Sequence, residues 1–205
     1  MTTQVKLTTD GSLARICFEA DNGIQLLTRD VREGLRGILD ELELRPQISV
    51  VLFEAKGRVF IAGADINELL ALTAETAADN SREGQAMMSR IEKLPATTVI
   101  AMHAACAGGG CELALACDMR IASESAVIGL PETRIGIFPG WGGTVRATRV
   151  LGSAVALRMI LSGELLPAQE ALQLGLVDDV SPDDSFRDVV EARVQTLLAR
   201  GPFAR

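Results

Sequence analysis

Three consecutive glycines followed by a glutamate form the part of the sequence best suited to chemistry. They lie in residues 106–117, CAGGGCELALAC, after an apolar run at residues 98–102 and at the start of a helix-like run. Glycine has no Cβ, so the backbone can turn sharply and approach a ligand closely. The first N–H groups of a helix lack intrahelical partners and lie at the positive end of the helix dipole. This segment therefore predicts an oxyanion-binding site, with the carboxylate of Glu112 beside it as a candidate base.

Two more fragments place small or acidic residues beside glycines. Residues 58–68, RVFIAGADINE, put Gly63 next to Ala64 after a β-rich run. Residues 128–143, IGLPETRIGIFPGWGG, put Glu132 directly after a proline. Taken singly, the glycine triplet is as well explained by a tight turn, and Ala64 by close packing. The fragments indicate a function only in combination.

Acid and base catalysis must fall mainly to carboxylates, because the chain has one histidine and no tyrosine. Glu112 and Glu132 are the natural pair, since one lies beside the glycine-rich helix start and the other in a proline-fixed turn. On residue type alone, each is more often a solvated surface residue. The sequence has no GxGxxG, GxxxxGK[ST], GxSxG or HExxH motif, which leaves nucleotide-binding, esterase and zinc-protease templates without local support.

Together, the three fragments resemble the crotonase superfamily, the enoyl-CoA hydratase/isomerase family, over about residues 50–180 and more weakly from the N-terminus. The resemblance implies an α/β fold built as a spiral of repeated β-β-α units. It implies an enzyme of fatty-acid β-oxidation that hydrates trans-2-enoyl-CoA to 3-hydroxyacyl-CoA. Coenzyme A is then part of the substrate, and no separate cofactor is expected.

The same resemblance implies a role for each of four residues. Gly109 and Ala64 would donate the two backbone N–H groups that hold the thioester carbonyl oxygen. Glu112 would orient and deprotonate the water that attacks C3, and Glu132 would deliver a proton to C2. Hydration moves negative charge onto the carbonyl oxygen, and losing one such N–H donor typically costs about 3–4 kcal/mol.

The resemblance also implies where coenzyme A binds. Its adenine is expected against the backbone around Ala62, Ala64 and Ile66, with Asp65 lending its backbone at most, while Gly109 contacts the thioester. The Asp65 side chain is instead predicted to cap the next helix, because aspartate is a favoured N-cap residue.

Several nearby side chains leave two interpretations open. Phe138 and Trp141 flank a Pro-Gly turn, and they either wall the acyl chain or pack structurally. Met87 and Met88 either line a flexible acyl pocket or, as is commoner, belong to the core. His103 stands just before the glycine segment and is predicted to be a buried, hydrogen-bonded support rather than a catalyst.

Composition predicts one globular domain covering residues 1–205. A chain of this length with 48% apolar residues can bury one sizeable core. No run approaches the roughly 18 apolar residues of a membrane span, and the start lacks a signal-peptide stretch, so a cytoplasmic protein is expected. A net charge of −7 disfavours general binding to nucleic acid or anionic membranes. Four cysteines without a CxxC pair and a lone histidine predict reduced core thiols and no metal site.

Two departures from the family pattern bear on these expectations. Residues 25–28, QLLT, stand where the family commonly has an Asn-Ala-Leu segment leading into the first helix. The sequence also stops at Arg205, where family members usually continue into C-terminal helices that cover the site and join subunits. The chain is therefore expected to be a single crotonase-like domain without those helices. The full-length form is expected to be a homotrimer or hexamer.

Two alternatives to hydration remain open at this point. A 3,2-enoyl-CoA isomerase needs the oxyanion site and one proton-shuttling carboxylate, but no activated water. A non-catalytic assembly module would keep the fold and bind an enoyl thioester without changing it. The presence of both glutamates favours the hydratase.

The elements that must position these residues follow from alternating strand-like and helix-like runs. Apolar and β-branched runs predict strands at residues 5–7, 14–18, 48–54, 98–103, 119–122, 127–129 and 176–180. Helical spacing of apolar residues predicts a helix at residues 28–42. A polar, Ala-rich composition that ends before Pro95 predicts a helix at residues 74–93, and further helices are predicted at residues 110–117, 142–150, 167–174 and 184–200. This alternation favours α/β layers.

Overall fold

Strands and helices alternate along the part of the chain that the computed structural model describes, residues 3–201. Its strands are β1 (Thr3–Asp10), β2 (Leu13–Ala20), β3 (Val50–Ala55), β4 (Thr97–Met102), β5 (Cys106–Ala107), β6 (Met119–Ser123), β7 (Val127–Gly129), β8 (Leu165–Pro167) and β9 (Asp179–Ser181). Its helices are α1 (Arg29–Glu43), α2 (Ile66–Leu70), α3 (Ala74–Glu92), α4 (Gly109–Ala116), α5 (Gly143–Leu151), α6 (Ser153–Ser162), α7 (Ala168–Gln173) and α8 (Phe186–Arg200), with a 3-10 helix at Glu132–Ile135. The α/β class is confirmed. Both ends of the domain predicted for residues 1–205 lie outside the described residues.

Two sheets carry the strands. The larger has the order β1-β2-β3-β4-β6-β9, antiparallel between β1 and β2 and parallel from β2 onward. The smaller has the order β5-β7-β8, parallel between β5 and β7 and antiparallel between β7 and β8. After β4 the chain passes from the larger sheet to the smaller one, where it forms β5. The glycine triplet follows directly after β5. The candidate site therefore lies among the segments that connect the two sheets.

Helix α1 is a case in which local sequence signals were sufficient to predict the element. The side chain of Thr28 accepts a hydrogen bond from the N–H of Val31, as an N-cap residue does. One stripe of the helix is buried and includes Val31, Leu35, Leu39 and Leu42. Ile38 is only partly buried against the core. The helix is confirmed with its start one residue later than predicted.

The larger sheet is covered on both faces, as parallel sheets usually are. Alternate residues of β3 point to opposite sides: Val51 and Phe53 join the main core with α1 and α3, whereas Val50 and Leu52 meet α8. The α8 side of this second cluster is formed by Val190, Val194 and Leu197. The loops around the candidate site thus project from a sheet that is buried on both faces.

The structure corrects the prediction of a strand at residues 176–180. Leu176 and Val177 are buried, but both of their N–H groups donate to Ala171 O and so prolong the turn after α7. Pairing with β6 begins only at Asp179. Apolar residues that fill the core after a helix therefore imitated a strand. Helix α6 and strand β8 were missed, and α6 follows α5 after Gly152 without a side-chain cap to announce it.

Candidate active site

A cavity of about 590 Å³ lies between the loop after β3, the start of α4 and the 3-10 helix. It is lined on its polar side by groups from all three sequence fragments, namely Gly63, Ala64, Gly108, Gly109, Glu112 and Glu132. Most of the remaining wall is apolar, with Leu26, Leu69, Leu72, Ile135, Ile137 and Phe138 among its residues. The fold therefore brings together every residue that was predicted to be catalytic.

The glycines are needed at the start of α4 for two separate reasons. Gly108 has φ +54° and ψ −123°, a backbone conformation that residues with a Cβ rarely adopt. Its N–H donates to Gly129 O at 3.0 Å, which ties the turn to β7. At Gly109 the reason is space, because an added Cβ would lie 2.5 Å from Cζ3 of Trp141. The turn holds the first N–H groups of α4 against the cavity.

Among the residues that line this cavity, Ala64 and Gly109 each have a backbone N–H group without an acceptor among residues 3–201. Their two segments are in contact, since a Cβ added to Gly63 would lie 3.4 Å from Gly109 N. The carbonyl of Gly63 accepts from Leu27 N–H at 2.8 Å, on the side opposite to the Ala64 N–H of the same trans peptide. The arrangement can bind an oxyanion between the two donors.

Glu112 is buried in the first turn of α4, with 2% of its surface exposed. Its Oε1 accepts two backbone hydrogen bonds of 2.8 Å, from the N–H groups of Trp141 and Gly143. Burial raises the pKa of this carboxyl, while the two N–H donors and the positive charge of Arg146 oppose that rise. Oε1 is thus fixed, and no described residue donates to Oε2.

Glu132 opens the 3-10 helix directly after Pro131 and is 9% exposed. Its Oε2 is buried without a hydrogen-bond partner in the described part of the chain. Burial, and to a lesser extent the charge of Glu112, raises the pKa of Glu132 to about 7. A carboxyl with this pKa keeps its proton at a higher pH than an ordinary glutamate and can give it up near neutral pH. The two glutamates share one cavity but differ in their hydrogen bonding.

The family model for enoyl-CoA hydratase/isomerase matches residues 8–204. The chain belongs to this family. The predicted membership of the crotonase superfamily is confirmed.

Solved structures, including two of enoyl-CoA hydratases, agree with this assignment. The enzyme from Bacillus anthracis is 31% identical, with a TM-score of 0.87 over 95% of this chain and 76% of that chain. The enzyme from Mycobacterium avium subsp. paratuberculosis K-10 is 30% identical, with a TM-score of 0.88 over 97% and 79%. Pseudomonas aeruginosa DspI is 29% identical, with a TM-score of 0.89 over 98% and 77%. The chain therefore has the crotonase fold.

The residues predicted to bind coenzyme A lie at the rim of the cavity of this family member. Ala62 and Ile66 line it and are exposed, the latter by 55%. Asp65 also lines it, while its side chain accepts from Asn67 N–H at 2.8 Å at the start of α2. The N-cap prediction for Asp65 is confirmed.

The two aromatic residues of the third fragment both line the cavity. Trp141 is buried, with its ring against Gly109 and the guanidinium of Arg32 at 5.2 Å from the ring centroid. Phe138 is 67% exposed. Trp141 is therefore a structural part of the wall that also places its N–H on Glu112, and Phe138 is free to contact a ligand.

The remaining candidates lie elsewhere. Met87 and Met88 are buried in the core and do not line the cavity. His103 is only half-buried; its Nε2 lies 2.8 Å from Gly57 O and its ring meets Phe60 edge-on. The predicted hydrogen bond of His103 is confirmed, but its complete burial is not.

None of the four cysteines, all of which lie within residues 3–201, forms a disulfide, and their burial differs. Cys106, Cys111 and Cys117 are buried, as predicted for core thiols, and burial raises the pKa of each of the first two. Cys17 is only half-buried. Residues 3–201 hold no cluster of three or more possible metal ligands. None of the helices in this range is long and apolar enough to cross a membrane.

Sequence reasoning missed Arg146, which supports the turn that holds Glu112. Its guanidinium donates to Trp141 O at 3.3 Å and pairs with Glu92 of α3 at 2.8 Å. It is buried despite its charge. Its place in the first turn of α5, three residues after Gly143, is the signal that could have identified it.

Proposed function

We propose that this protein adds water to trans-2-enoyl-CoA thioesters to form 3-hydroxyacyl-CoA. The observation that carries the proposal is the meeting of two buried, differently held carboxyl groups with two acceptor-free N–H groups in one cavity. Family membership supports a coenzyme A thioester as the substrate. The coenzyme is then part of the substrate, and the mechanism needs no separate cofactor.

The N–H groups of Ala64 and Gly109 would bind the thioester carbonyl oxygen. When a nucleophile adds to C3, electrons move through the conjugated system and leave negative charge on this oxygen. Donors that are already in place stabilise that charge without reorganisation, and one of them is typically worth about 3–4 kcal/mol. Neither N–H has to give up another acceptor to do so.

Glu112 is the base in this proposal. Because its Oε1 is held by two N–H groups, its Oε2 is left to accept a proton from water. The hydroxyl oxygen forms a bond to C3 as that proton moves to Glu112. The two N–H bonds and the charge of Arg146 stabilise the carboxylate that the step requires.

Glu132 is the acid that completes the reaction. Its proton moves to C2 as the enolate collapses back to the thioester. The resting state returns when Glu112 loses the proton it took and Glu132 regains one, so that the net change is the addition of one water. A pKa of about 7 lets Glu132 hold that proton near neutral pH.

For substrate binding, we assign the rim of the cavity to coenzyme A. The backbone at Ala62, Ala64, Asp65 and Ile66 would contact the adenine, while Gly109 contacts the thioester. The expectations of one domain, a cytoplasmic setting, a role in β-oxidation and a trimeric or hexameric full-length form belong to the same proposal. Binding of nucleic acid or membranes is not part of it.

The isomerase alternative needs only Glu132, which could carry a proton between two carbons. The fixed position of Glu112 favours hydration, because a carboxylate held by two backbone N–H groups suits the orientation of a water molecule. A purely binding module does not account for two buried carboxyl groups facing one cavity, since burying them is costly.

The test is a pair of assays on the same protein. Crotonyl-CoA should lose its conjugated-thioester absorbance and yield 3-hydroxybutyryl-CoA by mass spectrometry, with one oxygen from labelled water. A 3-enoyl-CoA is offered separately to detect isomerisation. Isomerisation with no hydration would make the protein an isomerase. Binding of crotonyl-CoA with neither reaction would support the non-catalytic module.

A further inference from the structure

Gln25 is a fully buried polar residue that lies outside the cavity and outside the proposed chemistry. Its Nε2 donates to two backbone carbonyls, those of Lys56 and, at 2.8 Å, Val59. Both partners can only accept, so the amide NH₂ must face them. The amide oxygen has no partner among the described residues. A buried carbonyl without a donor is costly, and the side chain is thus held there for its donating end.

Backbone hydrogen bonds extend the contact between the Gln25 segment and the loop after β3 as far as Gly63, at the cavity. Gln25 O accepts from Ala62 N–H at 2.9 Å, and Leu27 N–H donates to Gly63 O at 2.8 Å. Ile24 and Val59 form a parallel bridge just before these bonds. Residues 24–27 therefore run beside residues 59–63 and bond to them at alternate positions.

These bonds determine where the Ala64 N–H points. A planar trans peptide directs its N–H opposite to its carbonyl, so fixing Gly63 O on Leu27 also fixes the N–H of Ala64. The side chain of Leu26, between the two bonding positions, lines the cavity. The alignment of this donor thus depends on how residues 24–27 are held.

We propose that Gln25 is a positioning residue for the oxyanion donor at Ala64. Its amide clamps the carbonyls of Lys56 and Val59, and the clamp keeps residues 59–63 in register with residues 24–27. The inference rests on the proposed function, because it assigns the Ala64 N–H to the thioester oxygen. Without the amide, the donor remains in the chain but loses its alignment.

The test uses Gln25→Met, which keeps the size of the side chain but removes its donor. The readouts are kcat, KM for crotonyl-CoA, thermal unfolding, and the infrared carbonyl stretch of bound butyryl-CoA carrying ¹³C at the thioester carbon. Removing an oxyanion donor outright costs about a hundredfold to a thousandfold in kcat, so misalignment should cost about tenfold. The carbonyl stretch should move back toward its value in water, with KM changed less than about threefold.

The matched control is Thr98→Val. Thr98 is a buried polar residue at the start of β4, and its Oγ1 donates to Asp118 at 2.8 Å, away from the cavity. This change should lower the unfolding temperature while leaving kcat and the carbonyl stretch as in the wild type. A general loss of stability is thereby separated from a loss of alignment.

Each outcome decides the inference. A folded Gln25→Met protein with the wild-type carbonyl stretch and kcat overturns it. If that variant does not fold, Gln25→Asn decides, since its amide is one methylene shorter and should give an intermediate stretch; an unchanged stretch overturns the inference. If the carbonyl stretch of butyryl-CoA does not shift when it binds to the wild-type protein, both this inference and the proposed function are overturned. A wild type that shifts the stretch without hydrating crotonyl-CoA would remove hydration alone, and the Gln25 variants would still report on alignment.

Discussion

Replacing Glu112 with glutamine separates its chemistry from its place in the fold. The amide oxygen of the new side chain can still accept both N–H bonds from Trp141 and Gly143, which are 2.8 Å long in the wild type. An NH₂ group then stands where Oε2 would take the proton. A positioned general base contributes about a hundredfold to ten-thousandfold, so kcat should fall by that factor, or about 3–5 kcal/mol in the barrier.

The unfolding free energy should respond differently to Glu112→Gln and to Glu112→Ala. Glutamine keeps both hydrogen bonds, and the unfolding free energy should stay within about 1 kcal/mol of the wild type. Alanine leaves two buried N–H groups without a partner and should cost about 1–3 kcal/mol for each. Comparing the two variants by chemical denaturation tests the structural half of the argument.

The assay is hydration of crotonyl-CoA followed by absorbance, with butyryl-CoA binding as a check that the cavity is intact. Glu132→Gln is measured in parallel, and the exposed Glu164→Gln is the control that should leave kcat unchanged. A hydratase loses activity with either active-site change. An isomerase would lose it with Glu132→Gln and tolerate Glu112→Gln. Less than about a tenfold loss of hydration for both would refute the assignment of acid and base.

Three further changes test other parts of the site. The pKa of Glu132, raised to about 7 by burial, means that its protonated form is favoured by folding; this stabilisation is fully present below the ordinary carboxyl pKa and is lost as pH rises through about 7. The unfolding free energy, measured as a function of pH, should therefore fall between the ordinary carboxyl pKa and about pH 7, and the Glu132→Gln variant should not show this fall. The wild-type kcat/KM should decline above about pH 7. Flat pH profiles would contradict a raised pKa for Glu132. Gly109→Val keeps the N–H but places a Cβ within 2.5 Å of Trp141, so it should abolish hydration, and a normally folded, fully active variant would show that the thioester binds elsewhere. Arg146→Met removes a charge that lowers the pKa of Glu112, and the acidic limb of the kcat/KM profile should move to higher pH; an unmoved limb would mean that this charge does not act on the base.

Local sequence was sufficient where a single segment contains all the information. Helix α3 begins at Ala74 as predicted, because Thr73 caps it through reciprocal hydrogen bonds with Thr76. The glycine triplet predicted the start of α4, with Glu112 in its first turn, and Asp65 was predicted to cap the following helix. In each case the residues that determine the structure lie within one helical turn of each other.

The prediction failed where burial by distant segments imitated or hid a local signal. Leu176 and Val177 fill the core without joining a sheet, so their apolar character predicted strand where the chain continues the turn after α7. Helix α6 begins without a side-chain cap after Gly152, and that glycine gave no local sign that a second helix follows.

The order of three glycine-containing fragments and the two glutamates was enough to identify the residues that could do chemistry. The difference between those residues follows from their surroundings in the folded chain. Glu112 receives its N–H donors from residues 29 and 31 positions later in the chain, whereas the buried Oε2 of Glu132 receives none. Desolvation and hydrogen bonding depend on what surrounds a carboxyl group in space, and no local pattern around either glutamate encodes that. The same holds for the two N–H donors, which face one cavity only because the loop after β3 packs against the start of α4.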